Sequence, residues 1–585
     1  MPVGRSGEAG TKPATSTGRS LAFQDRRLRF DGRVPIVIGV TGHRDMAPSA
    51  LPQTAQLIRS VLLDYRRRYP ETPILLVSAL AEGADRLVAQ IALDPELGGQ
   101  VLVPLPMPIN EYLDSFQSEA SRDEFVSLCR LDGVVTFAIP DPAPTPDDAF
   151  MNLAKFLSRN CDVVIALWDG GESRGKGGTR DVVSFVLGQS NDEPVAPGSQ
   201  LDPLIVSPVY HVITPRQDAD AGEVQGRWLF PEMSEYHTDE EAMAYFHRLL
   251  EPLNAFNSES RVADTPPSPS DVLGDLFQRA DRLAVAYRGR TFRIFTLLSL
   301  FVALAAFAVD AGEHVFVALR GEGAKYLGLL LYPSLMALAF LIYQRCKRLH
   351  LQDRFQDYRA LAEGLRVQRF WQMAGIEYPV SKYYIGKQRT ELFWIRRACQ
   401  TARLMAGRSP RPLSRESLIS VLEGWAREQL RYFKLRAKSE HRRYHRLHTA
   451  SLALFWSGLA VAAFVGVVGS EPVHGRLSHI EWIGTLLDDH SLGHHIAILY
   501  VIMSAVLAAL FHNYGEKTAA REHSRQYERM ERLFEQGCTD IEKRIAVGQL
   551  AEAQGEIFRL GQEALAENGD WLITHRERPL EVPHH

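Results

Sequence analysis

The chain of 585 residues carries 66 basic and 70 acidic side chains, a formal net charge of −4, with 45% apolar and 23% charged residues. These values exclude a collagenous, wholly disordered or supercharged chain, and the near-neutral balance gives no reason to expect a nucleic-acid partner. Five cysteines (Cys129, Cys161, Cys346, Cys399, Cys538) form no CxxC pair, so neither a disulfide framework nor a metal knuckle is written here, and a reducing compartment is the default.

Residues 1–32 are rich in Gly, Ser, Thr and Arg and are expected to form a disordered tail, because they offer too little apolar surface to bury. Order is expected from Val34-Pro-Ile-Val-Ile-Gly-Val40, an apolar run of strand length that ends at Thr41-Gly-His-Arg-Asp45. Comparable runs follow at Ile74–Ser78, Val101–Leu105, Val134–Ala138 and Asp162–Trp168. A sixth, Leu204–Ile213, contains Pro208, which should confine it to an edge or split it. Continuous apolar runs that alternate with helical stretches such as Leu51–Arg68 and Asn152–Asn160 predict a parallel sheet covered on both faces. The expectation is a doubly wound, Rossmann-like α/β domain over residues 33–216.

In such sheets ligands sit at the carboxyl ends of the strands, and three glycine-bearing turns fall there. Thr41-Gly-His-Arg44 follows the first strand, Ser78 to Asp85 the second, and Trp168-Asp-Gly-Gly-Glu-Ser-Arg-Gly-Lys-Gly-Gly-Thr-Arg-Asp181 the fifth. Gly177-Gly-Thr179 before an apolar helix is a seat for phosphate, since the helix dipole and orphan N–H groups favour negative charge there. Lys176 and Arg180 supply counter-charge. The pattern is neither a Walker motif nor GxGxxG.

Residues 217–290 read as a linker and connecting helix. Beyond them, four segments lack Asp, Glu, Lys and Arg: Ile294–Val309, Tyr326–Gln344, Thr449–Gly469 and Ile496–Asn513. Crossing the ~30 Å hydrocarbon core takes roughly 20 helical residues, so the first segment must borrow from its flanks, with Arg293 snorkelling to the interface. Basic residues crowd one side of these segments: Arg288, Arg290 and Arg293, then Arg345, Lys347 and Arg348, then Lys438, Arg442, Arg443 and Arg446. Of the opposite loops, residues 310–325 hold three acids and two bases, and residues 470–495 four acids and only Arg476. This asymmetry predicts a multi-pass membrane protein with both termini and the long middle segment in the cytoplasm. The expected layout is an all-α region with four transmembrane helices. It comprises a first hairpin with its cytoplasmic helix (291–375), a cytoplasmic helical segment (376–448) and a second hairpin with C-terminal cytoplasmic helices (449–582).

Uncharged spans argue against a proton relay. Gly458, Ala462 and Gly466 share a face, as do Ser504 and Ala508. Such faces promote close helix association, within a protomer or between protomers. Each hairpin is flanked by charged helices, Asp271–Arg290 and Arg345–Met373 for the first, Leu418–His448 and Glu516–Gln536 for the second, which reads as one architecture used twice. The segment Trp482–Leu487 reads as an interfacial helix. The basic stretch His441–His448 reads as a flank for anionic headgroups, not a metal site.

The front motifs Gly39-Val-Thr-Gly-His-Arg44, Val77-Ser-Ala-Leu-Ala-Glu-Gly-Ala-Asp-Arg-Leu87, Leu105-Pro-Met-Pro108 with Tyr112 to Phe116, and Cys161 to Gly170 with Gly177-Gly-Thr179 resemble the SLOG superfamily. That superfamily is a Rossmann-like group of DNA-processing proteins, Lonely-guy phosphoribohydrolases and nucleotide second-messenger sensors. The resemblance implies binding of a nucleotide or an ADP-ribose derivative, with no other cofactor. The candidate ligand contacts are Thr41, Gly42, His43 and Arg44; Ser78, Ala79, Glu82, Gly83, Asp85 and Arg86; and Trp168, Asp169, Lys176, Gly177, Gly178, Thr179 and Arg180. The hydrolase branch carries a Glu three residues after the Thr, where this chain has Val182. Asp181 is one residue out of register, about 100° away around a helix, and glycosidic hydrolysis needs a placed carboxylate. A sensor is therefore expected in preference to an enzyme.

The stretches Tyr358 to Trp371 and Glu567 to Pro579 resemble the SLATT group, two-helix membrane effectors of bacterial conflict systems. That resemblance, over residues 271–582, implies a homo-oligomer that permeabilises the inner membrane in anti-phage defence when a nucleotide second messenger binds. The alternative is a membrane-anchored nucleotide hydrolase or phosphoribohydrolase using Glu82, Asp85, Asp169 or Asp181. A third reading, an ion channel with a regulatory domain, predicts poor selectivity from uncharged spans.

Overall fold

A computed structural model describes residues 26–141, 143–171, 175–189, 207–217, 223–260, 271–321, 323, 325–384, 392–407, 412–470, 480, 483 and 491–576. The front of the chain forms a seven-stranded sheet of β1 (Ile36–Gly42), β2 (Ile74–Val77), β3 (Gln100–Leu105), β4 (Val134–Ala138), β5 (Val163–Trp168), β6 (Val209–Ile213) and β7 (Gln225–Leu229). The spatial order is β4-β3-β2-β1-β5-β6-β7. β1 to β6 pair in parallel, and β7 runs antiparallel to β6. The interleaved helices are α1 (Leu51–Arg68), α2 (Ala84–Ala92), α3 (Ile109–Asp114), α4 (Glu119–Cys129), α5 (Pro146–Asn160) and α6 (Thr179–Val186).

The strands are apolar on both faces because both faces are covered. Ile36, Ile38 and Val40 share one buried cluster with Ile58 and Leu62 of α1, Val88 of α2 and Phe125 of α4. Val37, Leu75 and Val164 point the other way, onto Leu157 of α5 and Val182 and Val186 of α6. The helix starts carry their own signals. Ser118 accepts from the amide of Ser121 and Thr145 from that of Asp148, while Pro146 opens α5 and three arginines close α1, complementing the dipole.

Three expectations need correction. Leu28 and Phe30 are buried in the sheet's second cluster, so the portion of the expected 1–32 tail from Arg26 on packs against the domain. β6 is not an edge strand: it begins just after Pro208, whose carbonyl accepts from the amide of Val164. The sheet also continues past residue 216 into β7, within the stretch expected to be a linker.

The rest of the described chain is helical: α7 (Asp239–Ser260), α8 (Val272–Ala311), α9 (Val317–Arg320), α10 (Lys325–Arg348), α11 (Leu351–Met373), α12 (Phe393–Met405), α13 (Arg415–Val421), α14 (Arg427–Val468), α15 (Leu492–Lys517), α16 (Ala520–Ala546) and α17 (Leu550–Arg576). Four helices are long and apolar enough to cross a membrane, in α8, α10, α14 and α15. Their apolar side chains point outward: Leu330 is 67% exposed, Leu341 64% and Trp456 61%. Such a surface suits lipid, not water. The charged flanks of the first helix in each pair belong to the same rods, since α8 and α14 run unbroken for 40 and 42 residues. The short first segment thus gains its length from a helix that continues through a π-helical turn at Gly312–Phe316 into α9.

The second helix of each pair is broken at one residue in the left-handed region, His350 between α10 and α11 (φ 48°) and Ala519 between α15 and α16 (φ 48°). His350 lies six residues past Gln344 and Ala519 six past Asn513. The two hairpins therefore repeat one geometry. Gly458 packs against Ser504, and Ser451 donates to the carbonyl of Ala508 at 2.9 Å, so these small residues serve contact within the protomer. Among the described residues, no atom outside its own turn of helix lies within 4 Å of a side chain placed at Gly466. Of the segment Trp482–Leu487, all but Ile483 lies outside the described residues.

Below the spans, α8, α11 to α14, α16 and α17 enclose a second core around Trp371, Trp425 and Phe534. Two helices belong to both halves of the molecule. α7 contributes Leu250 to the sheet's cluster and Phe256 to the helical core. α12 contributes Leu404 and Met405 to the sheet's other face while Ile395 and Cys399 lie in the helical core. At this seam Arg397 meets Asp162 at 3.1 Å, both side chains at most 4% exposed, and donates to the hydroxyl of Ser207 at 2.7 Å. Asn257 closes a two-bond pair with the amide and carbonyl of Val34 at 2.9 and 2.8 Å.

Candidate functional site

The strand order reverses direction between β1 and β5, and a cavity of about 370 Å³ opens at their carboxyl ends. Twelve of the seventeen sequence candidates line it: Thr41, Gly42, His43 and Arg44 from the β1 turn, Ala79 and Asp85 from the β2 turn and α2, and Trp168 with Lys176, Gly177, Gly178, Thr179 and Arg180 from the β5–α6 connection. The α6 start faces this space with first-turn amides that have no acceptor within the helix. Just before the helix, the amide of Gly177 donates to the carboxylate of Asp181 at 2.7 Å. Asp181 thus ties down its own helix and does not line the cavity, whereas Val182 does. Thr41 and Thr179 bring their hydroxyls to 3.4 Å and join the first turn to the third.

The glycines act mainly through close approach of backbones. Gly177 has φ +74°, and a Cβ there would sit 2.4 Å from the Phe150 carbonyl carbon. Gly83, at φ +75°, would place a Cβ 2.6 Å from the carbonyl oxygens of His43 and Arg44, so only glycine fits where the first two turns meet. Gly42 was expected to admit a ligand, yet its missing side chain is the space filled by Ala84 and Leu167. It lets α2 close on the sheet.

Five candidates stand behind the lining. The hydroxyl of Ser78 donates to Asp85 at 3.2 Å and accepts from the amide of Leu80 at 3.1 Å, which shapes the second turn. Glu82 accepts from Ser121 and from the amide of Gln117 and so holds the start of α4. Arg86 is buried, donates to Leu80 O, Ser121 and Glu124, and stacks on Phe116. Gly83 and Asp169 complete the set. Asp169 belongs to a polar chain: its amide lies 3.0 Å from Nε2 of His43, and its carboxylate pairs with Arg216, which reaches Asp45 at 2.9 Å.

Burial, then the charge of Arg216, lowers the pKa of His43, against a smaller upward pull from Asp169. The His43 Nε2 also lies 3.2 Å from the Asp169 carboxylate. Asp85 is shifted the other way, up to about 6, because burial outweighs its bonds from Ser78 and from backbone amides. The lining therefore presents Arg44, Lys176 and Arg180 as cations beside a carboxyl that holds its proton more tightly than a solvated one. Arg44 lies 5.6 Å over the ring of Phe150.

Sequence reasoning passed over Asp45, Tyr112, Asp147, Phe150 and Arg216 as ligand contacts, all of which line the cavity. Arg216 follows β6 by three residues, so the same carboxyl-end rule finds it once β6 is accepted as an interior strand. Tyr112 donates to the carbonyl of Ala79 at 3.1 Å from α3, and nothing in the local sequence marks that reach. Among the described residues no group of three or more His, Cys, Asp and Glu side chains is placed to hold a metal ion. Compared with protein-family models, with curated proteins and with solved structures, the chain matches none.

Proposed function

We propose that the chain is a ligand-gated membrane effector: its SLOG-like, Rossmann-like front domain binds a nucleotide second messenger, cyclic or of the ADP-ribose type, and its SLATT-like hairpins respond by oligomerising and permeabilising the bacterial inner membrane in anti-phage defence. The observation that carries this reading is the cavity at the strand-order reversal, bordered by a helix start and by Arg44, Lys176, Arg180 and the carboxylate-paired Arg216. Its volume falls in the range of small-molecule sites, and helix N-termini favour phosphate. Such reversals are where open α/β sheets take their ligands.

The route to the lipid is short. α5 lines the cavity with Phe150 and Leu157, and Leu157 shares a buried cluster with Leu404 and Met405 of α12. α12 packs in the helical core with α8 and α11, and α8 enters the membrane without a break. Both termini lie in the cytoplasm in this reading, with the basic flanks at the inner leaflet. A ligand shifts such a system only by its differential affinity for two states, so the messenger must favour one arrangement of this seam or of the contact between protomers.

The test is leakage of a dye from liposomes carrying the full chain, with cyclic nucleotides and ADP-ribose isomers added singly. Release with one ligand, lost in Gly177→Val, is the expected result. Sealed liposomes with a ligand that calorimetry shows to be bound would overturn the reading.

A further inference from the structure

A second cavity, of about 250 Å³, lies between α8, α11, α14, α16 and α17 where the helix bundle meets the spans. Its chemistry differs from that of the first. Arg288, Arg359, Arg366, Arg436 and Arg443 all border it, against the carboxylates of Asp281, Glu363, Glu440 and Glu567. The carboxylates are not evenly shared. Arg359 takes Asp281 and Glu363, Arg366 takes Glu363, and Arg443 takes Glu440 at 3.5 Å. Arg288 and Arg436 have no carboxylate partner among the described residues and lie only over aromatic rings of their own helices, Phe292 and Tyr432. The Glu567 carboxyl is raised to about 7 by burial and by Glu363, so the positive excess is not cancelled from below.

Two buried atoms of the lining lack a hydrogen-bond partner among the described residues, Nε of Arg366 and Nε2 of His523. Nε2 of His523 is shielded from solvent and makes no hydrogen bond, while its ring is stacked between Tyr527 and His575 at 5.7 and 4.8 Å. A buried polar atom without a partner is costly unless something absent from the chain supplies one. Depth identifies that something. Arg288 precedes Ile294 by six residues, Arg443 precedes Thr449 by six and Thr518 follows Asn513 by five. At 1.5 Å per residue they lie roughly 8–9 Å beyond the span ends, within arginine reach of a headgroup layer about 5–8 Å thick, whereas Arg436, thirteen residues before Thr449, lies about 20 Å beyond.

We propose that this cavity binds a phosphate group, held at its membrane end by Arg288 and Arg443 with Arg436 and His523 deeper in the same cavity, and that its source is the headgroup of an anionic lipid. Guanidinium forks match phosphate oxygens, and an acyl-chain glycerophosphate hanging from the leaflet presents its phosphate at this level. The inference rests on the four apolar helices lying in a bilayer, and not on the front domain's ligand.

The full chain in detergent is titrated with phosphatidylglycerol, with phosphatidylcholine, whose phosphate is balanced by choline, and with inorganic phosphate, while its thermal transition is followed. Flotation with liposomes, run alongside, reports membrane insertion separately. Phosphatidylglycerol should raise the transition by about 3 °C at saturation and phosphatidylcholine should not. Arg288→Gln and Arg436→Gln should each weaken the apparent affinity about tenfold. Arg442→Gln, an exposed neighbour outside the cavity, should leave it unchanged. A shift produced equally by inorganic phosphate keeps the phosphate site and moves its source from lipid to a free anion. No shift with any of the three, or an equal loss in Arg442→Gln, overturns the proposal. Should Arg288→Gln fail to fold, Arg436→Gln alone decides, because Arg436 makes no ion pair that its loss would strand.

Discussion

The two cavities of this molecule are built on opposite principles. At the sheet edge, the space is defined by backbone: Gly83 and Gly177 bring turns within contact of other main chains, and an open helix start faces inward. In the helix bundle it is defined by long side chains from five rods, five arginines and a column of stacked rings. The lesson is where each is vulnerable. A backbone-built site fails by losing its shape, whereas a site made of arginines fails by losing its ligand while the rods stay packed.

The largest effect should come from the seam that joins the two regions. Arg397→Met leaves Asp162 buried and unpaired, at a cost of about 3–5 kcal/mol, read as a lowered thermal transition of the whole chain. Adding Asp162→Asn should recover part of that loss. If the front domain alone melts early while the bundle keeps its transition, the two regions are mechanically independent and the comparison above becomes a statement about two separate bodies.

Next, Gly83→Ala forces a side chain into φ +75° and against two carbonyl oxygens, costing about 3 kcal/mol. Nucleotide binding should vanish with it, while lipid-dependent stabilisation of the bundle persists. A variant that keeps full nucleotide affinity would show that the first two turns need not meet.

The pH dependence sets two neighbours of the sheet-edge cavity against each other. His43 has a lowered pKa in the fold, so the unfolded chain takes its proton first, and this contribution to stability falls as pH drops below about 6.5. Asp85 is raised from 3.8 to about 6, so the folded chain takes its proton first, and stability from this group grows as pH drops from about 6 toward 4. Melting His43→Gln and Asp85→Asn beside the wild type from pH 7.5 to 4.5 checks both signs. The wild type's advantage over His43→Gln should shrink on acidification, and its advantage over Asp85→Asn should widen.

The smallest effect is expected at Asp181→Ala, which frees the Gly177 amide at the start of α6 and costs about 1 kcal/mol. Melting of the full chain reads that loss.

Six of the seven strands were legible, five of them because a doubly covered parallel strand must be apolar throughout, as Ile36 to Val40 and Val163 to Leu167 are, and β6 within the run Leu204–Ile213. β7 was not. Its sequence Gln225-Gly-Arg-Trp-Leu229 has no apolar run, and Gly226 is there to make room for the Tyr210 hydroxyl, a tertiary reason invisible along the chain. The first site was largely readable since its turns are contiguous motifs at strand ends. Arg216 was missed because β6, which it follows, reads as an edge strand, and Phe150 because it arrives from a helix whose sequence carries no such mark. The second cavity had no legible trace: Arg288, Arg436 and His523 sit on three helices more than 80 residues apart in sequence from one another, and ordinary helix faces of this composition read as solvated. The four apolar segments were plain, but the matched breaks at His350 and Ala519 were not, since neither is a residue that seeks the left-handed region.

Those breaks divide the labour within each hairpin. α8 and α14 are stiff shafts of about 60 Å, able to carry a push or a twist from the helical core straight into the apolar spans. Their companions are jointed at one common depth, so the same push is absorbed at an elbow before it reaches α10 or α15. Displacement of the body would thus slide one member of each pair past the other, a shear repeated twice around the bundle.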